Sequence, residues 1–150
     1  MEPLAPGAAA PDWKLPAADG AERSAAELDG KRYVIYFYPR DNTPGCTREA
    51  CDFRDSFGRV EALGVPVFGV STDSLKRHRN FQAKYELPFT LLSDEEQQVI
   101  NAFGAGKGGK SARRMTFIVG PDGLVEAAWP KVKVKGHVDE VLAKLEELNG

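Results

Sequence analysis

The chain has 150 residues, 20 Lys plus Arg against 22 Asp plus Glu, and a formal net charge of −2, so it offers no basic field of the kind that nucleic acid or an anionic membrane would need. No stretch approaches the ~18 continuous apolar residues of a membrane span, and the opening MEPLAPGAAAPDWKLP has neither the charged nor the apolar region of a secretory leader. A single domain over residues 1–150, with its own core and a cytoplasmic setting, is the expectation.

Residues 1–20, rich in Ala and Pro, read as an extended or turn-containing arm with Trp13 and Leu15 as anchors. The unbroken run YVIYFY at 33–38 predicts a central strand buried on both faces, as in parallel sheets. A helix follows it. The pattern then repeats, with VPVFGVS (65–71) as a strand and 74–86 as a helix. After Pro88, FTLL (89–92) reads as a short strand and DEEQQVINAFG as a helical segment ended by Gly104. The Gly/Lys-rich piece GAGKGGKSARR (104–114) predicts a mobile surface loop. MTFIV (115–119), the turn GPDG and LVEAAW (124–129) predict an antiparallel hairpin. The clearest helix is the last, where Val138, Val141, Leu142, Leu145 and Leu148 recur at helical spacing between charges. Alternating strands and helices that close on a hairpin and a helix describe an α/β fold, a mixed central sheet flanked by helices.

The only two cysteines, Cys46 and Cys51, lie in FYPRDNTPGCTREACDFR (37–54). In a reducing compartment such a pair is used more often for transient or catalytic thiol chemistry than for a permanent disulfide. Thr43 stands where an N-cap is wanted and Pro44 suits the first helical position, which puts Cys46 in the first turn. Unpaired N–H groups and the positive end of the helix dipole there favour a thiolate. Cys46 shares an apolar stripe with Ala50, Phe53, Phe57 and Val60, whereas Cys51 is rotated from it by about 140° onto the flank. In an intact helix their Cα atoms are roughly 8.6 Å apart, beyond the ~7 Å that a disulfide tolerates. A bond between them therefore requires the start of the helix to unwind, and Gly45 eases that step. Taken singly, a buried cysteine is as often a small hydrophobe, and Thr-Pro-Gly is ordinary capping chemistry. Zinc has little to build on: C-x₄-C is at the edge of ligand spacing, and only His78 and His137 add imidazoles. His78, within LKRHRN, reads as a solvated helix residue.

Pro39-x-x-x-Thr43-x-x-Cys46 resembles the active-site signature of peroxiredoxins, and YPRDNTPGCTREACDFRD is similar to the bacterioferritin-comigratory or peroxiredoxin Q subgroup. The resemblance extends through APDWKLPAADG, RRMTFIVGPDG and WPKVKVKGHVDEVL. It implies a thioredoxin-like fold with peroxiredoxin additions and a thiol-dependent peroxidase with no cofactor and no metal. On that resemblance Cys46 is the attacking thiolate that becomes a sulfenic acid, Thr43 holds the peroxide and Pro39 shields the pocket from water. Arg114 matches the arginine that stabilises the thiolate and the departing oxygen; its neighbour Arg113 would point to the opposite face of a strand. Glu49 matches the acid that orients this arginine, a role compatible with a first-turn glutamate facing the helix dipole. Cys51 matches the resolving cysteine, whose attack leaves an intramolecular disulfide that a thioredoxin-type dithiol reduces.

The implied partners are a peroxide substrate and that reductant, with the chain acting as a monomer. Between Phe103 and Arg114 the chain is shorter and richer in Gly and Lys than the subgroup it resembles. Two other readings use the same thiol. A thiol-disulfide oxidoreductase shares the fold but normally carries Cys-x-x-Cys, which is lacking in this sequence. A peroxide sensor would report oxidation of Cys46 to a partner without turnover.

Overall fold

Trp13 anchors the amino-terminal arm as its sequence predicts. It is buried, its indole N–H donates to the Tyr33 hydroxyl at 3.1 Å, and its ring meets Tyr33 and Phe68 edge-on. Around it the arm forms a small antiparallel pair, β1 (Lys14–Pro16) and β2 (Glu22–Ser24), followed by a 3-10 turn at Ala26–Leu28. The computed structural model describes residues 2–109 and 111–149, so the first residue of the arm, Lys110 of the Gly/Lys-rich piece, and Gly150 lie outside the described residues.

The main sheet is built from β3 (Tyr33–Phe37), β4 (Val67–Ser71), β5 (Thr90–Ser93), β6 (Met115–Val119) and β7 (Val125–Trp129). Its order is β5-β4-β3-β6-β7. The first three strands are mutually parallel, and β6 is antiparallel to both its neighbours. Every residue of β3, β4 and β6 is buried, the mark of a sheet covered on both faces. Strand alternation divides the core accordingly. Val34 and Tyr36 join Cys46, Ala50, Phe53 and Leu142 on one face. Ile35 and Phe37 join Trp13, Ile100 and Phe117 on the other. Helices α1 (Pro44–Asp55), α2 (Phe57–Ala62) and α3 (Leu75–Tyr85) contribute to the first cluster, α4 (Gln98–Ala102) to the second, and α5 (His137–Asn149) to the first again. No helix among the described residues is long and apolar enough to cross a membrane.

Register is what positions the site. Phe37, the last residue of β3, pairs with Met115, the first of β6. Arg114 therefore lies beside the end of β3 where the chain leaves the sheet for α1.

Three sequence expectations change. Asp94 accepts the backbone N–H groups of Gln98 and Ile100 (3.1 and 2.8 Å), and Gln97 takes φ 61°. The segment from 94 therefore turns before it is helical, and only Gln98–Ala102 forms helix. The 104–114 segment is a surface loop only in part: residues 107–109 are exposed, but 104–106 and Ala112 are buried. Gly104, at φ 80°, lies so close to the arm that a Cβ would stand 2.1 Å from the Glu2 carbonyl oxygen. His78, finally, is fully buried rather than solvated. It falls on the stripe of α3 that also carries Phe81, while its charged neighbours Lys76, Arg77 and Arg79 occupy the exposed side.

Candidate active site

Thr43, extended at φ −99° and ψ 157°, and Pro44 begin α1 as predicted, and the Thr47 N–H donates to the Thr43 carbonyl at 2.8 Å. The Thr43 side chain does not cap, contrary to the sequence reading. Its hydroxyl donates to the Arg40 carbonyl at 2.9 Å, so the loop folds on itself and the side chain leaves the first-turn N–H groups, which have no intrahelical partner, unneutralised.

Cys46 sits in that turn and is 2% exposed. Arg114 reaches it from the start of β6: Nη2 donates to Sγ at 3.3 Å, and Nη1 to Glu49 Oε1 at 2.9 Å. The planar fork of a guanidinium allows one side chain to hold both groups at once. Gly45 keeps the approach open, because a Cβ there would lie 3.1 Å from Arg114 Nη2. Arg113 is exposed and spends its backbone N–H on the Ala105 carbonyl (2.7 Å).

Behind the arginine, Glu49 is fully buried. Its second oxygen, Oε2, has no hydrogen-bond partner and faces His137 Nε2 at 3.9 Å. That nitrogen is 2.7 Å from the Thr116 hydroxyl. Burial pushes the Glu49 carboxyl up to about 7 against the pull of Arg114. Burial, helped by the Arg114 charge, pushes His137 down to about 4. At neutral pH His137 is thus uncharged and Arg114 supplies the positive charge of the cluster. The sequence reading missed His137 and Thr116 as members of this site. Thr116 follows Arg114 by two positions and so shares its side of the strand; nothing comparable marks His137.

The two shifts have opposite consequences for stability. Glu49 holds its proton more tightly when folded (about 7 against 4.5), so its contribution is present below pH 4.5 and lost as pH rises through 7. His137 holds its proton less tightly when folded (about 4 against 6.5), so its contribution is present above pH 6.5 and lost as pH falls through 4. At ~1.4 kcal/mol per unit, each is on the order of 3 kcal/mol, and across their shared range the two largely cancel. In urea unfolding followed against pH, the wild type should fall relative to Glu49→Gln by about that amount between pH 4.5 and 7. Parallel curves would mean that Glu49 holds its proton no more tightly in the folded protein than in the unfolded chain.

Pro39 and Thr43 line an open depression together with Arg40, Thr72, Ser74 and Arg77. Cys51 is half-buried on the flank of α1, and burial pushes its thiol up. Both cysteines are free, and α1 is continuous through them. Arg114 thus joins Cys46 to Glu49, Pro39 and Thr43 line a depression in the loop before α1, and Cys51 stands on the flank of the helix.

The AhpC/TSA family model matches residues 6–128, a span that includes the loop, α1 and Arg114. A putative peroxiredoxin Bcp of Coxiella burnetii is 47% identical over 146 residues, covering 93% of this chain and 97% of its own. The peroxiredoxin Bcp of Bacillus subtilis is 41% identical over 150 residues, covering 95% and 96%. Among solved structures, peroxiredoxin Q of Xanthomonas campestris matches at a TM-score of 0.86 and 39% identity over 92% of both chains. The bacterioferritin comigratory protein of the same organism, studied for alkyl peroxide reduction, matches at 0.86 and 38% over 92% of both. With a thioredoxin-like sheet, a thiol in the first turn of α1 and relatives of this identity over nearly the whole length, the chain belongs to the AhpC/TSA family, within its Bcp and peroxiredoxin Q members.

Proposed function

We propose that the protein reduces hydrogen peroxide and organic hydroperoxides through a two-cysteine cycle contained in one chain. The observation that carries this reading is the Arg114 guanidinium shared between Cys46 Sγ (3.3 Å) and Glu49 (2.9 Å) above the first turn of α1. A fixed positive charge beside a buried sulfur stabilises the negative charge that develops on the oxygen that leaves. The Cys46 thiolate attacks one peroxide oxygen; the S–O bond forms as the O–O bond breaks, and the departing alkoxide or hydroxide takes a proton. Thr43 and Pro39 hold and shield the peroxide. The similar X. campestris protein studied for alkyl peroxide reduction supports including organic hydroperoxides.

The Cys51 sulfur then attacks the Cys46 sulfenic acid, forming a disulfide and releasing water. Within the continuous α1 the two Cα atoms are roughly 8.6 Å apart, so this step requires the helix start to unwind. Burial keeps Cys51 a thiol until it does. The far end of α1 is held by Arg54 Nη1, which donates to the Tyr85 carbonyl at 2.9 Å, so the unwinding stops short of Arg54. A thioredoxin-type dithiol restores both thiols by exchange. No second chain is needed for this cycle, and Leu124 is the sole large hydrophobic side chain exposed among the described residues, which supports a monomer.

A Cys51→Ser variant given one equivalent of peroxide should accumulate a Cys46 sulfenic acid that dimedone captures, as read by mass spectrometry. The wild type should instead lose its two thiol hydrogens and escape capture. Equal labelling of the two proteins would remove Cys51 from the cycle.

A further inference from the structure

A second buried polar network lies not at the thiol but under the loop that leads to it. Asp41, in that loop, accepts from the Tyr38 hydroxyl at 2.5 Å on Oδ1 and lies 2.6 Å from His78 Nδ1 through Oδ2. His78 Nε2 is 2.9 Å from the Leu92 carbonyl oxygen. The Asp41 backbone N–H donates to Asp73 Oδ2 at 2.8 Å, and its carbonyl accepts from Arg77 Nη2 at 3.3 Å. Asp41, Asp73 and His78 are all buried, in a cycle that would call on none of them as acid, base or nucleophile.

Their ligand atoms lie within 4.8 Å of one another, the spacing of a metal site. Hydrogen bonds already occupy them, however. Asp73 Oδ2 also accepts from Ser71 Oγ (2.6 Å) and Asp73 Oδ1 from Arg77 Nε (2.7 Å). The cluster is satisfied by the protein itself, and a cation would have to displace these donors.

We propose that Asp41 and His78 form a buried clamp that positions the 39–43 loop, and so are positioning residues for the peroxide reaction; this rests on the peroxidase reading above. A carbonyl oxygen can only accept, so His78 Nε2 carries hydrogen, and a single proton lies between Nδ1 and Asp41 Oδ2 whichever atom holds it. The pair thereby ties the loop to α3 and β5 at a point where hydrogen bonds are strong and their loss is costly. From Asp41 the constraint passes along a short chain to the site. Asn42, at φ 61°, accepts from Lys84 Nζ and the Tyr85 hydroxyl (3.3 and 3.2 Å). Thr43 closes back on Arg40 and opens α1. Misplacing a reacting group by about 1 Å can cost 10²-fold in rate, and among the described residues the Thr43 side chain has no hydrogen bond other than the one made within this loop.

The test compares two reactions of the same thiol in Asp41→Asn, Asp41→Ser and His78→Gln. Alkylation of Cys46 by iodoacetamide needs only a thiolate and access; oxidation by hydrogen peroxide also needs the loop in register. Asparagine preserves the clamp, because its amide can donate to a neutral His78 while its oxygen still accepts from Tyr38. Serine cannot span the gap, and glutamine leaves one of the two acceptors without a donor. Peroxide oxidation should slow by roughly ten- to a hundredfold in Asp41→Ser and His78→Gln, and by no more than about threefold in Asp41→Asn, with alkylation changing far less in each. If either disruptive variant does not fold, the other is read against Asp41→Asn; if neither folds, a structural role alone stands and the clamp is overturned. Equal losses in both reactions, undiminished peroxide rates in the disruptive variants, or Asp41→Asn as slow as Asp41→Ser would also overturn it. A wild type no faster with peroxide than a free thiol would overturn the peroxidase reading, and the clamp with it.

Discussion

Cys46→Ser should consume no peroxide above the level of an ordinary thiol, in a coupled assay with a dithiol reductant. The loss is complete because no second group can take over the attack. Cys51 is a thiol whose ionisation burial opposes, it stands on the flank of α1, and Arg114 is committed to Cys46 and Glu49. A serine hydroxyl at position 46 would retain the hydrogen bond to Arg114 but not the nucleophilicity, since a hydroxyl ionises far less readily than a thiol. Folding should survive, because serine occupies nearly the same volume. Its hydroxyl can accept the arginine N–H, so burial leaves no unsatisfied group. Residual turnover at a substantial fraction of the wild-type rate would assign the chemistry to Cys51 or to neither cysteine.

Arg114→Leu should slow the oxidation of Cys46 by roughly 10²–10³-fold, the usual cost of removing one charge-stabilising donor from a site that excludes water. Two groups lose their partner together. Sγ loses the N–H at 3.3 Å, and Glu49 Oε1 the one at 2.9 Å. Glu49 then has neither of its oxygens paired within the protein, and since Arg114 was the influence holding it down, its carboxyl moves further up and stays protonated. His137 moves up in the same variant, because the guanidinium charge no longer opposes its protonation. The expected outcome is a peroxide rate lowered at every pH, together with a larger loss of stability between pH 4.5 and 7 than the wild type shows, because the folded chain keeps the Glu49 proton that the unfolded chain gives up and His137 offsets less of it. Arg114→Lys should recover only part of the rate, as an ammonium is a point charge that cannot serve sulfur and carboxylate with two fixed N–H bonds. A full rate in Arg114→Leu would mean that the helix start alone provides the positive field.

Local chemistry made part of this legible in the sequence. The apolar run of β3, the Thr-Pro start of α1 and the spaced apolar residues of α5 each announce their element, because adjacent residues decide strand burial, helix capping and helix amphipathicity. Cys46 could be placed in the first turn from capping rules alone, whereas strand alternation said only that one of Arg113 and Arg114 could reach the site, and the family resemblance named Arg114. The partners that make the site what it is come from pairs distant in sequence. His78 and Asp41 are 37 positions apart, and Thr116 and His137 are 21 apart. Each pair meets only because the sheet register brings its elements together. Flanking charges at 76, 77 and 79 made His78 read as solvated, although its spacing from Phe81 put it on the inner face of α3. Thr43 was read as a side-chain cap from its residue type, yet its hydroxyl had a nearer acceptor in the folded loop. The 104–114 segment looked mobile by composition, and the burial of its Gly104 comes from the arm that packs against it.

The most direct test of the two-cysteine account is rapid mixing of the reduced wild type with excess hydrogen peroxide, with Trp fluorescence and quenched mass spectrometry on the same samples. Trp129 packs edge-on against His137 at 5.7 Å, next to the Arg114 cluster, and is the natural reporter. The account predicts oxidation far faster than that of a free thiol, followed by a second, peroxide-independent phase in which a Cys46–Cys51 disulfide appears. Oxidation at the rate of a free thiol, or a fast reaction that ends without that disulfide, would contradict it.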